Sequence, residues 1–276
     1  MTVFKAAAGW ALRKLPFALA TRVVGNVFRS RASCILIRPY ARLYRVNLAE
    51  SERTVSEYAS LADFFARRLR AGSRVLPTRG DVAVCPVDGE VLAAGCVSED
   101  TMLHIKGSAI SVSALLGAIP ASRYAQGSYA VIYLAPGDYH RIHAPVGGLC
   151  GRIVKIEGFC LPLHAVGRAC VPDVFSRNQR AVLEIVCDTE AQGAYRVALV
   201  CVGSAIVGSV RLSEACAVGA SLSRGEELGW FEFGSTVVVL STFDGPRIDL
   251  SVGARVKALT AMSSALRTPK SSPRPD

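Results

Sequence analysis

The 276-residue chain is 51% apolar with a mean hydropathy of +0.33, enough for a sizeable core in one large domain, with or without a helical appendage. No run of about 18 apolar residues is free of charge, which excludes a transmembrane helix, and Arg13, Lys14 and Arg22 interrupt the apolar segments that a secretory signal would need. The net charge of +10 is concentrated at one end: nine basic residues and no acidic one lie between Met1 and Ala49.

Such asymmetry points to nucleic acid or anionic lipid as partner. The interleaved Phe4, Trp10, Leu12, Phe17, Val24 and Phe28 favour lipid over nucleic acid. An amphipathic helix lying at a membrane interface fits this composition; a basic helix packed on its own domain, or an Arg-rich transit peptide, are the alternatives. The first 70 or so residues read as helical, with apolar residues at three- and four-residue spacing, and Ser60 to Asp63 resembles a capping box ahead of a helix over 64–69.

The pattern changes after Asp81. Short β-branched runs at 82–84, 91–94, 129–134, 153–156, 181–186, 196–202, 205–212 and 236–240 are broken by Gly, Pro and Asp, which is strand punctuation. Several runs are too apolar to have a wet face, so two packed, partly closed antiparallel sheets are expected, with a short helix over 112–116. The expected class is α+β: N-terminal helices over 1–75, a β-rich domain over 76–262, and a disordered tail over 263–276 that is rich in Pro, Ser and Lys. Nine cysteines are scattered without a Cys-x-x-Cys pair, which speaks against a disulfide framework or zinc site and for small core residues in a reducing compartment.

Four histidines exist, and His140 and His143 lie three residues apart between a strand and Pro145, where a loop could aim both into one cleft. Histidine most easily supplies a base near pH 7, although a lone histidine is more often structural and His-x-x-His is also a weak metal signal. Asp88, in the turn 86–89, either caps that turn through its own backbone or orients a histidine. Ser235, between Gly234 and Thr236, opens a strand; Ser204 and Ser209 are rival serines, and none of the three lies in a G-x-S-x-G elbow.

Seven segments in order resemble those of phosphatidylserine decarboxylases. They are FFARRLR at 64–70, PVDG at 86–89, Lys106-Gly107 with 112–117, LAPGDYHRIHAP at 134–145, VPDVFSRNQR at 171–180, 203–210, and GEELGWFEFGST at 225–236. Phe233, Val87, Ala109 and Gly137 depart from the usual residues of those motifs. The resemblance implies a precursor that cuts itself at Gly234–Ser235 into a β chain (1–234) and an α chain (235–276), leaving Ser235 as a covalent pyruvoyl cofactor. It implies that Asp88 orients His143, that His143 takes the Ser235 proton, and that His140 protonates the substrate carbon after decarboxylation, two histidine roles that could be exchanged.

The implied reaction converts phosphatidylserine to phosphatidylethanolamine and carbon dioxide through a Schiff base to the pyruvoyl ketone, an electron sink. No metal and no nucleic acid partner is implied. The expected location is peripheral, on the cytoplasmic face of the cell membrane, with an anionic surface as partner; a homodimer is left open. Alternatives are a pyruvoyl decarboxylase of another serine phospholipid, a non-catalytic membrane-binding β domain, and a serine hydrolase using the same triad.

Overall fold

The computed structural model describes residues 17–105, 108–164, 171, 173–189, 193–204, 210–214, 216–232 and 234–263. The expected tail beyond 263, the rival Ser209, and Phe233 lie outside the described residues.

Residues 1–16 of the expected N-terminal helices also lie outside the described residues, and from Phe17 to Leu69 the chain is less regularly helical than its periodicity predicts. Helix α1 (Phe17–Arg29), a 3-10 segment (Arg31–Leu36) and α2 (Ile37–Leu43) are followed by two single 3-10 turns and α3 (Leu61–Phe65). The Ser60 hydroxyl caps α3 by accepting the Asp63 N–H at 3.1 Å. The Asp63 carboxylate does not complete a capping box; it accepts from the Ala59 N–H at 3.1 Å and pairs with Arg53 at 2.7 Å. Helix α3 stops at Phe65 rather than running through residue 69, because Leu69 bridges to Ser51 as an extended residue. Ile37, Ala41, Val46, Tyr58, Leu61 and Phe64 form a small core of their own.

The β-rich part is built on one antiparallel eight-stranded sheet. It comprises β1 (Gly89–Cys96), β4 (Ser128–Leu134), β6 (Gly148–Ile156), β7 (Arg180–Thr189), β8 (Gly193–Gly203), β10 (Ser221–Leu222), β12 (Ser235–Ser241) and β13 (Arg255–Val256). Their order is β10-β6-β7-β8-β12-β4-β1-β13. A second sheet takes β9 (Val210–Leu212), β5 (Arg141–His143) and β11 (Glu227–Phe231) in the order β5-β11-β9, and β2 (Met102–Ile105) with β3 (Ser108–Ser111) forms a hairpin. The α+β class holds. The sheets are packed but open, where partial closure was expected: the terminal strands β10 and β13 do not pair with each other.

Alternation explains why the central strands carry no polar face. In β12, Val237 and Val239 join the core beneath the three-stranded sheet, which adds Ile142, Leu228 and Phe231. Val238 and Leu240 point the other way, into a second core with Leu103, Ile110, Leu115 and Phe175. That second core is roofed by the β2–β3 hairpin, α4 (Val112–Leu116) and α5 (Val174–Arg177). Both faces are covered, so every side chain of β12 is buried, and each Val or Leu contributes about 1.5–3 kcal/mol by leaving water. Residues 82–84 do not form a strand; only Val84 makes an isolated bridge, to Ala261.

Candidate active site

Ser235 is the first residue of the most buried strand. Its neighbours in register are Leu134 of β4 and Gly203 of β8, so the start of β12 is held between two strands. The side chain is fully buried, and its Oγ has no hydrogen-bond partner among the described residues. A buried hydroxyl left unpaired costs about 1–3 kcal/mol, a cost shared by the adjacent Thr236, whose buried Oγ1 also has no partner among the described residues. Gly234 before it has φ +43°, a left-handed conformation that disfavours any side chain, and a Cβ there would lie 3.1 Å from the Ser204 Cβ. Ser204 itself is engaged in the fold: its Oγ accepts the Leu163 N–H at 3.2 Å.

The 135–140 loop leads from β4 to β5 and is held by local bonds. Asp138 accepts from the Ala135 N–H at 2.7 Å, and the Arg67 guanidinium donates to the carbonyls of Gly137 and Asp138 at 2.9 and 2.8 Å. His140 at its end is fully buried, 3.9 Å from the Phe65 ring. Its Nδ1 sits 2.9 Å from the Asp138 carbonyl, which can only accept, so Nδ1 carries the hydrogen and Nε2 the lone pair. Nε2 has no partner among the described residues. Burial first, and the Arg67 charge second, push the His140 pKa down to about 3. The ring is therefore neutral, with a free acceptor lone pair at Nε2.

His143 closes β5. Its N–H donates to the Pro86 carbonyl at 2.9 Å, tying β5 to the Asp88 turn. Its Nδ1 lies 2.8 Å from the Gly225 carbonyl and its Nε2 lies 3.0 Å from the Tyr139 hydroxyl. Burial lowers its pKa, with Arg141 adding to the effect. No ring contact or hydrogen bond joins His140 to His143 among the described residues; each imidazole has its own setting.

Asp88 is placed differently from the expectation that it holds His143. Its Oδ1 accepts the Ala258 N–H at 2.7 Å and its Oδ2 accepts from Arg74 at 2.9 Å. Arg74, almost wholly buried, also donates to Glu50 at 2.7 Å. Both carboxylate oxygens are thus engaged, and in this structure the Gly225 carbonyl occupies the orienting position at Nδ1 of His143. Burial raises the Asp88 pKa, while the Ala258 N–H and Arg74 oppose the rise. Sequence reasoning gave no role to Arg67, Arg74, Tyr139 or Gly225, although Arg67, Tyr139 and Gly225 lie in the quoted motifs.

The family model for phosphatidylserine decarboxylase matches residues 61–261. The chain belongs to the phosphatidylserine decarboxylase family. It is 34% identical over 276 residues to a phosphatidylserine decarboxylase proenzyme of Brevibacillus brevis, covering 94% of this chain and 96% of that one. A Bacillus mycoides proenzyme of the same name is 37% identical over 213 residues, 77% of this chain and 78% of the relative. One from Geobacillus kaustophilus is 32% identical over 223 residues, covering 80% and 81%.

In this member of the decarboxylase family an apolar cleft of about 610 Å³ reaches Gly234. One wall is N-terminal, with Phe28, Leu36, Tyr40, Leu43 and Phe65; the other includes Tyr133, Pro162, Ser204 and Gly234. The Tyr40 hydroxyl donates to the Pro136 carbonyl, and Arg29 pairs with Glu232, so two bonds fix the N-terminal wall beside the site. Val23, Val27 and Ile35 of the same region do not line the cleft and are largely exposed, as are Arg31, Arg38, Arg42 and Arg45. No helix among the described residues is long and apolar enough to cross a membrane.

Proposed function

We propose that this chain is a precursor that cleaves its own Gly234–Ser235 bond and then decarboxylates phosphatidylserine. The observation that carries the reading is a buried, unpartnered Ser235 hydroxyl next to Gly234, whose left-handed backbone favours glycine and which lines an apolar cleft. In cleavage the Ser235 Oγ bonds to the Gly234 carbonyl carbon as the C–N bond breaks. The hydroxyl proton passes to His143 Nε2 and from there to the departing amine. Loss of the Ser235 Cα proton and of the ester oxygen frees the Gly234 carboxylate. Hydrolysis of the resulting dehydroalanine releases ammonia and leaves a pyruvoyl group at residue 235.

Once present, that ketone supplies an electron sink for the carbon that loses carbon dioxide. The remaining work falls to side chains. His140, neutral with its lone pair at Nε2, takes a proton as the substrate amine condenses and returns it to the substrate Cα; a well-placed group of this kind is worth about 10²–10⁴ in rate. Asp88 acts on the base through its turn, whose Pro86 carbonyl holds the His143 N–H. The cleft takes the acyl part of the lipid.

The division at about residue 75 follows the same logic, with 1–75 as the membrane-associating part. Peripheral attachment to an anionic leaflet is supported by the exposed arginines and apolar residues of that part, each cation adding about 1 kcal/mol. The eight described cysteines are free thiols, which fits the reducing, cytoplasmic side. Intact-mass analysis of purified protein tests the reading. Two fragments are expected, the smaller starting at a blocked residue 235, and a Ser235→Ala variant that stays whole. An unbroken wild-type chain that still releases carbon dioxide from lipid refutes it.

A further inference from the structure

Tyr139 belongs to a quoted motif, yet the proposed chemistry gives it no part. Its hydroxyl lies 3.0 Å from Nε2 of His143, and the two rings stack with centroids 5.7 Å apart and an interplanar angle of 25°. The opposite ring nitrogen is 2.8 Å from the Gly225 carbonyl. A carbonyl oxygen can only accept, so Nδ1 carries the hydrogen. A neutral imidazole then has its lone pair at Nε2, and the phenol must be the donor there. Tyr139 is buried, and burial raises its pKa, so it keeps its proton throughout the working range.

We infer that Tyr139 is a positioning residue for the self-cleavage base: with the Gly225 carbonyl it clamps the His143 ring in one tautomer and reserves the Nε2 lone pair until the serine proton arrives. The inference rests on the role proposed for His143. The clamp spans three elements: Tyr139 precedes β5, His143 ends it, and Gly225 lies just before β11. Without the phenol the ring would lose one of its two hydrogen bonds and, with it, the donor that favours the neutral form. Other charges bear on the pair. Glu227 of β11 and Arg141 of β5 act on both rings, and Asp88 and Arg68 act on Tyr139. None of them hydrogen-bonds to either ring nitrogen of His143.

The test has two arms. In the first, a Ser235→Ala precursor labelled with ¹⁵N-histidine is read by NMR, with His143 assigned by its own substitution. The expected result is the Nδ1–H tautomer, shifting to a mixture on Tyr139→Phe. An Nε2–H tautomer, or a spectrum unmoved by Tyr139→Phe, overturns the inference. In the second arm, freshly translated wild-type and Tyr139→Phe precursors are chased between pH 5 and 9. Loss of the donor to the neutral ring should raise the His143 pKa and move the acid limb of cleavage upward by about half to one unit.

Replacing Tyr139 with 3,5-difluorotyrosine, a stronger donor that keeps the ring, should move the limb downward. Limbs that stay in place in both variants overturn the inference. If Tyr139→Phe does not fold, the fluorinated protein alone decides, since a purely structural tyrosine gives no shift. If His143→Ala precursor still cleaves at the wild-type rate, it is the role of His143 that fails, while the NMR arm still reports on the clamp.

Discussion

Replacing Arg74 with Gln isolates the charge balance at Asp88. Arg74 has only 7% of its side chain exposed and Asp88 13%, so the ion pair is largely desolvated and little screened. Breaking a buried pair from one side costs about 3–5 kcal/mol. The lower end applies here, because the Ala258 N–H still holds Oδ1 and Lys257 still reaches Glu50 at 3.2 Å. For a protein of this size, about 3 kcal/mol lowers Tm by roughly 6–12 °C. The pH dependence follows from the sign of the shift. The Asp88 pKa in the folded state lies above its ordinary value, chiefly through burial. Asp88 therefore favours the folded state most below the unfolded carboxylate pKa, and that contribution is lost as pH rises through the folded value. Without Arg74 the folded pKa climbs further, so the deficit of Arg74→Gln relative to wild type should be larger at pH 8 than at pH 5, shrinking as falling pH favours protonated Asp88. Urea titration of the uncleaved Ser235→Ala protein, with and without Arg74→Gln, measures it. Equal losses at pH 5 and pH 8, or a loss below about 1 kcal/mol at pH 8, would refute the reasoning.

Other substitutions probe the remaining parts of the site. Gly234→Ala forces a side chain into a left-handed conformation and against Ser204, so uncleaved chain should accumulate on a denaturing gel; wild-type processing would show that the backbone here is not constrained as described. His140, with its pKa near 3, should show no NMR titration between pH 5 and 8, and His140→Ala should still cleave yet lose about 10²–10⁴ in decarboxylation rate. The triple change of Arg38, Arg42 and Arg45 to Gln should weaken binding to anionic vesicles by roughly 100-fold at low salt, by about 1 kcal/mol per cation, with little effect on neutral vesicles. Phe231→Ala, which empties a buried position on β11 in the core beneath the three-stranded sheet, should cost about 3–5 kcal/mol in denaturant unfolding.

The residue types that chemistry demands, and their order, are legible in the sequence: a serine after a glycine, two histidines three apart, and an aspartate in a turn. So are the strand character of the central runs and the helix over 112–116, because apolar runs and local turn residues act over a few positions. The length of helix α3 is not legible locally, because its end is set by the distant bridge from Leu69 to Ser51. The partners of the reactive groups were decided only by tertiary structure. His143 bonds to a carbonyl 82 residues away and Asp88 to an amide 170 residues away, and the apolar cleft joins the N-terminal helices to Gly234. A side chain's composition fixes what it can donate or accept, but packing of separate strands decides which group stands 3 Å from it. That is why Asp88 is found on Arg74 and Ala258, and the His143 ring between Gly225 and Tyr139.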